Sequence, residues 1–145
     1  MNGYKRDGRA PIPKKEVTSI VMRANKAKNT NPELLLRKAL FRNDLKGYRL
    51  NYKKVPGRPD IAFVSKKIAI FVNGCYWHRC PKCNLPIPKS NSIFWQEKFK
   101  RNKERDKRKN RELRVLGWMA MTIWECEINK HLNKQIDKIR EVYYE

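Results

Sequence analysis

The chain is poor in acidic side chains and has no long hydrophobic run. Of its 145 residues only 14 are Asp or Glu against 35 Lys or Arg, and the net charge is +21. The longest apolar run, Ile68 to Val72, is far too short to cross a bilayer, and the N-terminus lacks the apolar stretch of a signal peptide. We therefore expect neither a membrane protein nor a secreted one. So large a positive surplus favours an anionic partner, with nucleic acid the first candidate.

Cysteine is scarce as well, and disulfides are an unexpected use for it in a protein that is not secreted. Cys75, Cys80 and Cys83 are spaced C-x4-C-x2-C, and Cys126 follows at a distance. Four thiolates can complete a closed tetrahedral zinc site, which would be structural because no position is left for a substrate. The alternative is four ordinary buried thiols. Zinc is favoured because residues 73–90 have too little apolar surface to order themselves.

The alternation of periodic segments predicts one folded α/β domain over residues 17–145, preceded by a flexible basic arm over residues 1–16. Helices, strands and breakers follow one another in the order helix, helix, three strands, helix, strand, helix. That order is typical of a small mixed central sheet flanked by helices. The predicted helices cover residues 18–28, 31–43, 91–116 and 131–143, and the predicted strands cover 48–55, 61–64, 68–72 and 118–124.

Two of the predicted helices carry faces that can be tested. In the helix over 31–43, Asn31 is the expected N-cap, and Leu35 and Leu36 belong to its buried stripe. The long helix over 91–116 has a stripe that is interrupted by polar residues, so we expect the middle of that face to line a cleft. The stripe runs through Trp95, Phe99, Asn102, Asp106, Lys109, Leu113 and Leu116.

Three residues could carry hydrolytic chemistry. Asp60 follows a Pro-Gly-Arg-Pro turn, Glu33 falls in a first helical turn, and His78 follows two aromatics. Turn chemistry and helix capping are the ordinary explanations for the two acids. Together, however, two carboxylates and an imidazole suit phosphodiester hydrolysis, because carboxylates hold a hard cation such as Mg²⁺ and imidazole activates water.

Large aromatic side chains lie beside these residues. Tyr76 and Trp77 are adjacent within a basic segment and would make a wedge that inserts between DNA bases. Core packing is the alternative for each ring, and for Trp95 the two explanations are equally good. The basic run from Lys98 to Lys109 is either a solvated helix face or a set of phosphate contacts.

These residues resemble the very short patch repair (Vsr) endonucleases, which have a modified PD-(D/E)xK nuclease fold. The resemblance covers roughly residues 18–126, and the PGRPD and GCYWH segments are its most specific parts. It implies a restriction-endonuclease-like α/β fold with a structural zinc site. The matching stretches are Met22–Ala24, Pro32–Glu33, Pro56–Asp60, Phe71–His78, Phe94–Trp95, Asn102 with Arg105–Asp106, Leu116–Trp118 and Trp124–Cys126.

The resemblance implies an enzyme that nicks DNA on the 5′ side of a thymine mispaired with guanine. Asp60 would bind catalytic Mg²⁺ with the backbone carbonyl of Val72, Glu33 would hold metal-bound water, and His78 would activate the attacking water. Asn73 is the departure at the active site, because the family commonly has a second histidine there. Asn73 cannot take a proton at neutral pH, so a two-histidine mechanism is not expected.

The same resemblance implies the contacts to DNA and to zinc. The zinc segment also departs from the family pattern, since Cys80 stands where a histidine is usual and Cys83 is shifted by one residue, so we expect an all-thiolate site. The basic arm has no counterpart in the family. The implied DNA-contacting residues are Met22, Arg23, Tyr76, Trp77, Trp95, Lys98 and Asn102, and the implied zinc ligands are Cys75, Cys80, Cys83 and Cys126.

The expected substrate is double-stranded DNA with a T:G mismatch, acted on by a monomer at the nucleoid in a prokaryotic cytoplasm. A cytosine-5 methyltransferase and repair proteins are the expected functional partners. Two alternatives remain open. One is a restriction-like or mobile-element nuclease with another target, and the other is a non-catalytic zinc-containing module that binds nucleic acid.

Overall fold

The computed structural model describes residues 30–145. The predicted basic arm and the predicted helix with Met22 and Arg23 lie outside this range. Seven regular elements follow in the predicted order, and a short 3-10 turn over Val64–Lys66 joins the second strand to the third. The elements are α1 (Asn31–Arg42), β1 (Arg49–Leu50), β2 (Ile61–Phe63), β3 (Ile68–Asn73), α2 (Ser92–Val115), β4 (Met119–Trp124) and α3 (Glu125–Tyr143).

The four strands form one mixed sheet in the order β1-β2-β3-β4. The first three strands are antiparallel to their neighbours, whereas β4 runs parallel to β3, with Ile68 opposite Met119 and Asn73 opposite Trp124. The parallel pairing has a functional consequence, because the carboxyl ends of β3 and β4 lie at the same edge of the sheet. The predicted α/β class, a small mixed sheet flanked by helices, is confirmed.

Each face of the sheet packs against helices. On one face α1 and α3 bury a continuous aliphatic core against β2 and β3, in which Leu36, Ile70 and Ile139 are fully buried. On the other face Leu113 of α2 packs with Trp118 and two sheet alanines. The N-terminal half of α2 instead packs in a separate aromatic cluster. The sheet therefore holds one end of α2, while the other end lies against the cysteine-containing segment.

Several boundaries differ from the predicted ones for identifiable reasons. Thr30, and not Asn31, caps α1, because its hydroxyl oxygen accepts the backbone N–H of Glu33 at 3.4 Å. The strand expected over residues 48–55 shortens to two residues, since Asn51 has a left-handed backbone with φ of 49°. Leu35 is exposed and not buried, because the core-facing stripe of α1 runs through Glu33 and Leu36 instead.

The C-terminal part also differs in detail. The strand predicted to be buried is a half-exposed edge strand, since β4 has a neighbour on one side only. The last helix begins at Glu125, six residues before the predicted start, and His131, where the prediction began, has non-helical backbone angles. Leu116, expected in the buried stripe, is half-exposed because it caps the helix just before Gly117, whose φ of 83° turns the chain into β4. None of the helices within residues 30–145 is long and apolar enough to cross a membrane.

Candidate active site

Asp60 lies at the entrance of β2, directly beside the end of β3. Antiparallel pairing of Ile61 with Ile70 places the residue before β2 next to the last residues of β3. The Oδ2 atom of Asp60 accepts the backbone N–H of Val72 at 2.7 Å. The preceding turn is tight, because a Cβ on Gly57 would lie 2.9 Å from the ring of Phe71. The PGRPD segment thus serves to place one carboxylate against the β3 backbone.

Glu33 brings a second carboxyl group to the same place. It belongs to the first turn of α1, is only 5% exposed, and forms a side-chain hydrogen bond with Asp60. Burial raises the pKa of Asp60 to about 7. The N–H of Val72 and the charge of His78 oppose that shift, whereas Glu33 reinforces it. A buried and a half-buried carboxyl group this close together favour a shared proton or a cation between them.

This donor set fits a hard divalent cation. Mg²⁺ prefers oxygen ligands and is commonly held by one or two carboxylates. Asp60 and Glu33 supply two carboxylates, and the backbone of Val72 lies within hydrogen-bond distance of the first. The residues that the sequence predicts for a magnesium site are therefore brought together.

His78 reaches the site from the segment that follows β3. Its Nδ1 atom lies 2.7 Å from Oδ2 of Asp106 on α2, and both side chains are about one third exposed. No role for Asp106 follows from the sequence, although Asp106 lies on the interrupted face of α2 that is predicted to line a cleft. In the structure, Asp106 and Asn102 of that face contact the segment after β3. The polar residue in the apolar stripe was the signal that could have identified Asp106.

Asn73 is the last residue of β3, is 9% exposed, and pairs in register with Trp124 of β4. It thus lies one residue beyond Val72, at the same edge of the sheet as Asp60. Its amide can donate and accept hydrogen bonds but cannot exchange a proton near neutral pH. Asn73 therefore cannot accept a proton from water at this site.

The four cysteines converge at the edge where β3 and β4 end. Cys75 follows β3 and Cys126 lies in the first turn of α3, so the parallel pairing of the two strands brings these distant residues together. All four sulfur atoms lie within 4.8 Å of one another, and Sγ of Cys80 is 3.7 Å from Sγ of Cys126. A tetrahedral zinc ion with Zn–S bonds of about 2.3 Å needs sulfur atoms about 3.8 Å apart. The cluster fits an all-thiolate zinc site.

Hydrogen bonds to two of the sulfur atoms suit a metal ligand set, whereas burial raises the pKa of the Cys75 and Cys126 thiols. Burial raises the pKa of the Cys80 thiol, but backbone N–H groups of Cys83 and Lys82 outweigh it and lower that pKa overall. The N–H of Cys126 points at Sγ of Cys75 at 3.4 Å. Such N–H donors stabilise thiolates, which are the form that binds zinc. The cysteine cluster adjoins the candidate active site, because Cys75 and His78 are three residues apart.

Aromatic rings fill the space between the zinc cluster and α2. Trp95 and Phe99 are buried, and Tyr76, Trp77 and Phe94 pack against them half-buried. The centroids of Trp77 and Trp95 are 5.8 Å apart, and those of Tyr76 and Phe99 are 5.7 Å apart. The buried ring of Trp95 therefore packs against the half-buried ring of Trp77.

Polar and charged residues of α2 flank these rings. Nδ2 of Asn102 donates to the carbonyl oxygen of Trp77 at 3.4 Å, and Oδ1 of Asn102 accepts from Arg105 at 2.5 Å. The ammonium group of Lys98 lies 6.0 Å from the centroid of Trp77 and 5.9 Å from that of Trp95. Both residues predicted to lie near a mismatch are thus adjacent to the predicted wedge.

Comparison with known proteins gives the following matches. Residues 11–85 match the family model described as DNA mismatch endonuclease Vsr. The Type II nicking enzyme V.NmeAIP of Neisseria meningitidis serogroup A is 39% identical over 131 residues, which are 85% of this chain and 91% of that protein. The DNA mismatch endonuclease Vsr of Escherichia coli K12 is 34% identical over 119 residues, which are 82% and 76% of the two chains.

A solved structure also matches. The catalytic domain of the homing endonuclease I-Bth0305I superimposes with a TM-score of 0.55 at 23% identity, covering 80% of this chain and 96% of that domain. At this level of identity the likeness shows the fold alone. That fold agrees with the predicted restriction-endonuclease-like class.

Proposed function

Since the chain belongs to the Vsr family and is a DNA endonuclease, we propose that it nicks one strand of duplex DNA on the 5′ side of a thymine mispaired with guanine. One observation carries this proposal. An acid pair, from α1 and the entrance of β2, and a histidine–aspartate pair, from the segment after β3 and from α2, lie near one sheet edge, where the charge of His78 lowers the pKa of Asp60. Binding alone would need none of these acids in a protein of charge +21.

The pairing of His78 with Asp106 fixes which nitrogen does the chemistry. When Nδ1–H donates to the Asp106 carboxylate, the lone pair of Nε2 is free to accept a proton. Nε2 would take the proton of the attacking water as its oxygen bonds to phosphorus and the phosphodiester P–O bond breaks. Asp106 stabilises the imidazolium that results.

The carboxyl side of the site would hold the catalytic metal. Asp60 and the carbonyl oxygen of Val72 would bind Mg²⁺, which when bound supplies positive charge to the phosphate. Glu33 contacts Asp60 and would orient the water in the site. At the cysteine cluster the resident ion would be Zn²⁺, with the structural role of fixing the segment that bears His78.

The aromatic cluster would recognise the mismatch. Inserting Tyr76 and Trp77 into a base step costs unstacking energy, and that cost is least where pairing is already weak. A T:G step would therefore admit the rings more readily than a matched step. Met22 and Arg23 would contact the same DNA from the N-terminal side, with Lys98 and Asn102 beside the mismatch. The protein would act as a monomer at the nucleoid of a prokaryotic cell, together with a cytosine-5 methyltransferase and repair proteins.

A duplex panel tests the function. Labelled duplexes that are matched or carry each single mismatch are incubated with protein and Mg²⁺, and nicks are mapped at nucleotide resolution. A nick confined to the T:G duplex, 5′ of the thymine, supports the proposal. Cutting of the matched duplex would instead indicate a restriction-like or mobile-element nuclease. Tight binding with no Mg²⁺-dependent cutting on any duplex would indicate a non-catalytic binding module.

A second experiment tests the wedge separately from the chemistry. Trp77→Ala is expected to weaken binding to T:G duplex much more than to matched duplex. Arg101→Ala on the exposed side of α2 is the electrostatic control and should weaken both about equally. Lys98→Ala is less suitable as that control because its ammonium group lies over the Trp77 ring. If Trp77→Ala weakens both duplexes by the same factor, the ring does not determine specificity.

A further inference from the structure

Arg79 lies between the predicted catalytic histidine and a zinc ligand, and its side chain is committed to protein contacts. Its guanidinium group donates from one nitrogen to the carbonyl oxygen of Tyr76 at 3.3 Å and from the other to the carbonyl oxygen of Leu85. The same group lies 4.4 Å from the ring centroid of Phe99 and 5.5 Å from that of Tyr76. The Arg79 side chain thus connects the residues before it, at Tyr76, and after it, at Leu85, to Phe99 of α2.

The backbone at Arg79 shows that these contacts outweigh a local cost. Its φ of 55° is in the left-handed region, which residues with a Cβ atom rarely adopt. Glycine or asparagine would meet that geometry more easily. Arginine at this position is explained by what its side chain reaches, since only a planar fork can hold two carbonyl oxygens and stack on a ring at once.

Three consecutive residues of this segment are each held by a different side chain. Zinc would fix the flanking Cys75 and Cys80, but no ligand lies between them. Within that interval Asp106 holds the ring of His78, Asn102 holds the carbonyl of Trp77, and Arg79 holds the carbonyl and ring of Tyr76. The first of these contacts serves chemistry, and the other two serve the aromatic residues.

We propose that Arg79 is a positioning residue for mismatch recognition, which fixes Tyr76 against Phe99 so that the aromatic pair meets DNA in one orientation. This inference rests on the proposed function, because it assumes that the rings contact DNA. A fixed ring loses little conformational freedom on insertion, and preorganisation of this kind raises affinity without adding a contact. Arg79 therefore sets the ratio of affinities for T:G and matched duplexes.

A phosphate-binding arginine would behave differently. Loss of a phosphate contact weakens binding to any duplex and lowers the slope of log affinity against log salt by about one. The guanidinium nitrogens of Arg79 are directed at carbonyl oxygens of its own chain, so we expect no change in that slope. The two roles can thus be separated by one titration series.

The experiment compares Arg79→Lys with wild type and with Arg111→Lys, a charge-preserving change at an exposed position of α2. Binding to T:G and matched duplexes is titrated at several salt concentrations, with zinc content and circular dichroism as folding checks. For Arg79→Lys we expect about a tenfold loss of affinity for T:G duplex, a loss below about threefold for matched duplex, and an unchanged salt slope. The nicking rate at saturating T:G duplex should change by less than about threefold. Arg111→Lys should match wild type.

A readout in the free protein makes the test independent of mismatch specificity. Acrylamide quenching of tryptophan fluorescence should increase in Arg79→Lys, because the rings around Trp77 are less firmly held. The increase should be absent when Trp77 is also changed to Phe. Phe99→Leu removes the stacking partner of Arg79 and should reproduce the loss of discrimination if Arg79→Lys does not fold.

The outcomes separate the two proposals. Equal weakening of both duplexes with a shallower salt slope would make Arg79 a phosphate contact and overturn the inference, as would wild-type binding together with wild-type quenching. If wild-type protein itself shows no preference for T:G duplex, the proposed function fails, and the quenching result still decides whether Arg79 positions the aromatic residues.

Discussion

The two ends of α2 lie in regions that are held together by different means. Around its C-terminal end, Leu113 packs on an ordinary sheet face, and the opposite face is covered by an aliphatic core. Around its N-terminal end, residues 74–91 contain no helix or strand and are held by four cysteines, aromatic rings and single side-chain hydrogen bonds. The first region needs only the burial of apolar surface to fold. The second needs specific groups. The residues proposed to activate water and to form the wedge, His78, Tyr76 and Trp77, lie in it, whereas the proposed metal-binding acids lie outside it.

Zinc removal should have the largest effect, and it should disorder the second region while leaving the first folded. The purified protein should contain one zinc per chain, and binding of a structural zinc ion contributes about 10–16 kcal/mol in small zinc sites. Chelation or Cys83→Ser should increase hydrogen exchange over residues 73–90 and abolish nicking, while the amides of β2 and β3 remain protected. Zinc content, exchange and nicking are measured on one sample, and restored zinc should reverse the loss. Well-folded, active protein without zinc would contradict this expectation.

Asp60→Asn should abolish the chemistry and leave the aromatic region intact. It removes a metal ligand and a negative charge close to phosphate, so nicking should fall by about three orders of magnitude while DNA binding is unchanged or tighter. Single-turnover nicking and equilibrium binding are compared on the same T:G duplex. Asp44→Asn, at an exposed position, is the matched control and should leave both unchanged. Normal cutting by Asp60→Asn would show that the active site is elsewhere.

Ile139→Ala tests the aliphatic region, where we expect a loss of stability without a loss of zinc or of nicking. Ile139 is fully buried between α3 and the sheet, and truncating such a side chain lowers the free energy of unfolding by about 2–5 kcal/mol. Chemical denaturation measures that loss. At a temperature where the variant is folded, its zinc content and its nicking rate should equal those of wild type. A selective loss of zinc would show that the two regions are coupled more tightly than their packing indicates.

Asp106→Asn separates two functions of the second region, the proposed chemistry at His78 and the proposed DNA contacts of the aromatic residues. The amide retains the shape of Asp106 but loses the charge that stabilises protonated His78, so the maximal nicking rate should fall by about a hundredfold. Binding to T:G duplex should stay the same, because the aromatic residues are held by other side chains. Asp137→Asn, on the exposed side of α3, is the control. An equal loss with both variants would mean that charge, and not the pairing with His78, is responsible.

The smallest effect is expected in the pH dependence of stability without metal. Burial raises the pKa of Asp60 to about 7, whereas its ordinary value is 3.8. Between these values the unfolded chain loses a proton that the folded chain keeps, so stability falls as pH rises from about 4 to 7 and then levels off. Denaturation midpoints from pH 4.5 to 8.5 measure this slope. Asp60→Asn should reduce the slope, and added Mg²⁺ should stabilise wild type most above pH 7.

The sequence predicted the aliphatic region well because its information is local. The hairpin of β2 and β3, the length of α2 and its end at Gly117 follow from apolar periodicity and a breaker residue. The errors there are also local: Thr30 and Asn31 are both good caps, and nothing in the stripe of α1 distinguishes Leu35 as an exposed residue.

The second region was predicted by another route. Residue types, and the resemblance they support, predicted roles for the cysteines and His78 here, and for Asp60 and Glu33 at the nearby sheet edge. The structure brings the four cysteines together and Glu33 beside Asp60. The contacts of Asp106 and Arg79 were not predicted, because each joins segments that no periodicity relates. Pairings of that kind depend on the path of the chain after β3, where the four cysteines converge and no hydrophobic stripe is buried.

The length of α2 has a mechanical consequence. Its 24 residues span about 36 Å, whereas the six-residue strands β3 and β4 span about 20 Å, so the helix is longer than either strand by roughly 15 Å. Packing of Leu113 on the sheet holds the C-terminal end of the helix. Contacts with the cysteine-containing segment hold its N-terminal half. If the proposed wedge binds DNA at that end, the DNA acts on the helix far from Leu113, and we expect the contacts of this segment, including those of Arg79, to limit how far the helix tilts. We expect the rigidity of these contacts to determine whether the DNA is distorted or the helix moves when the two bind.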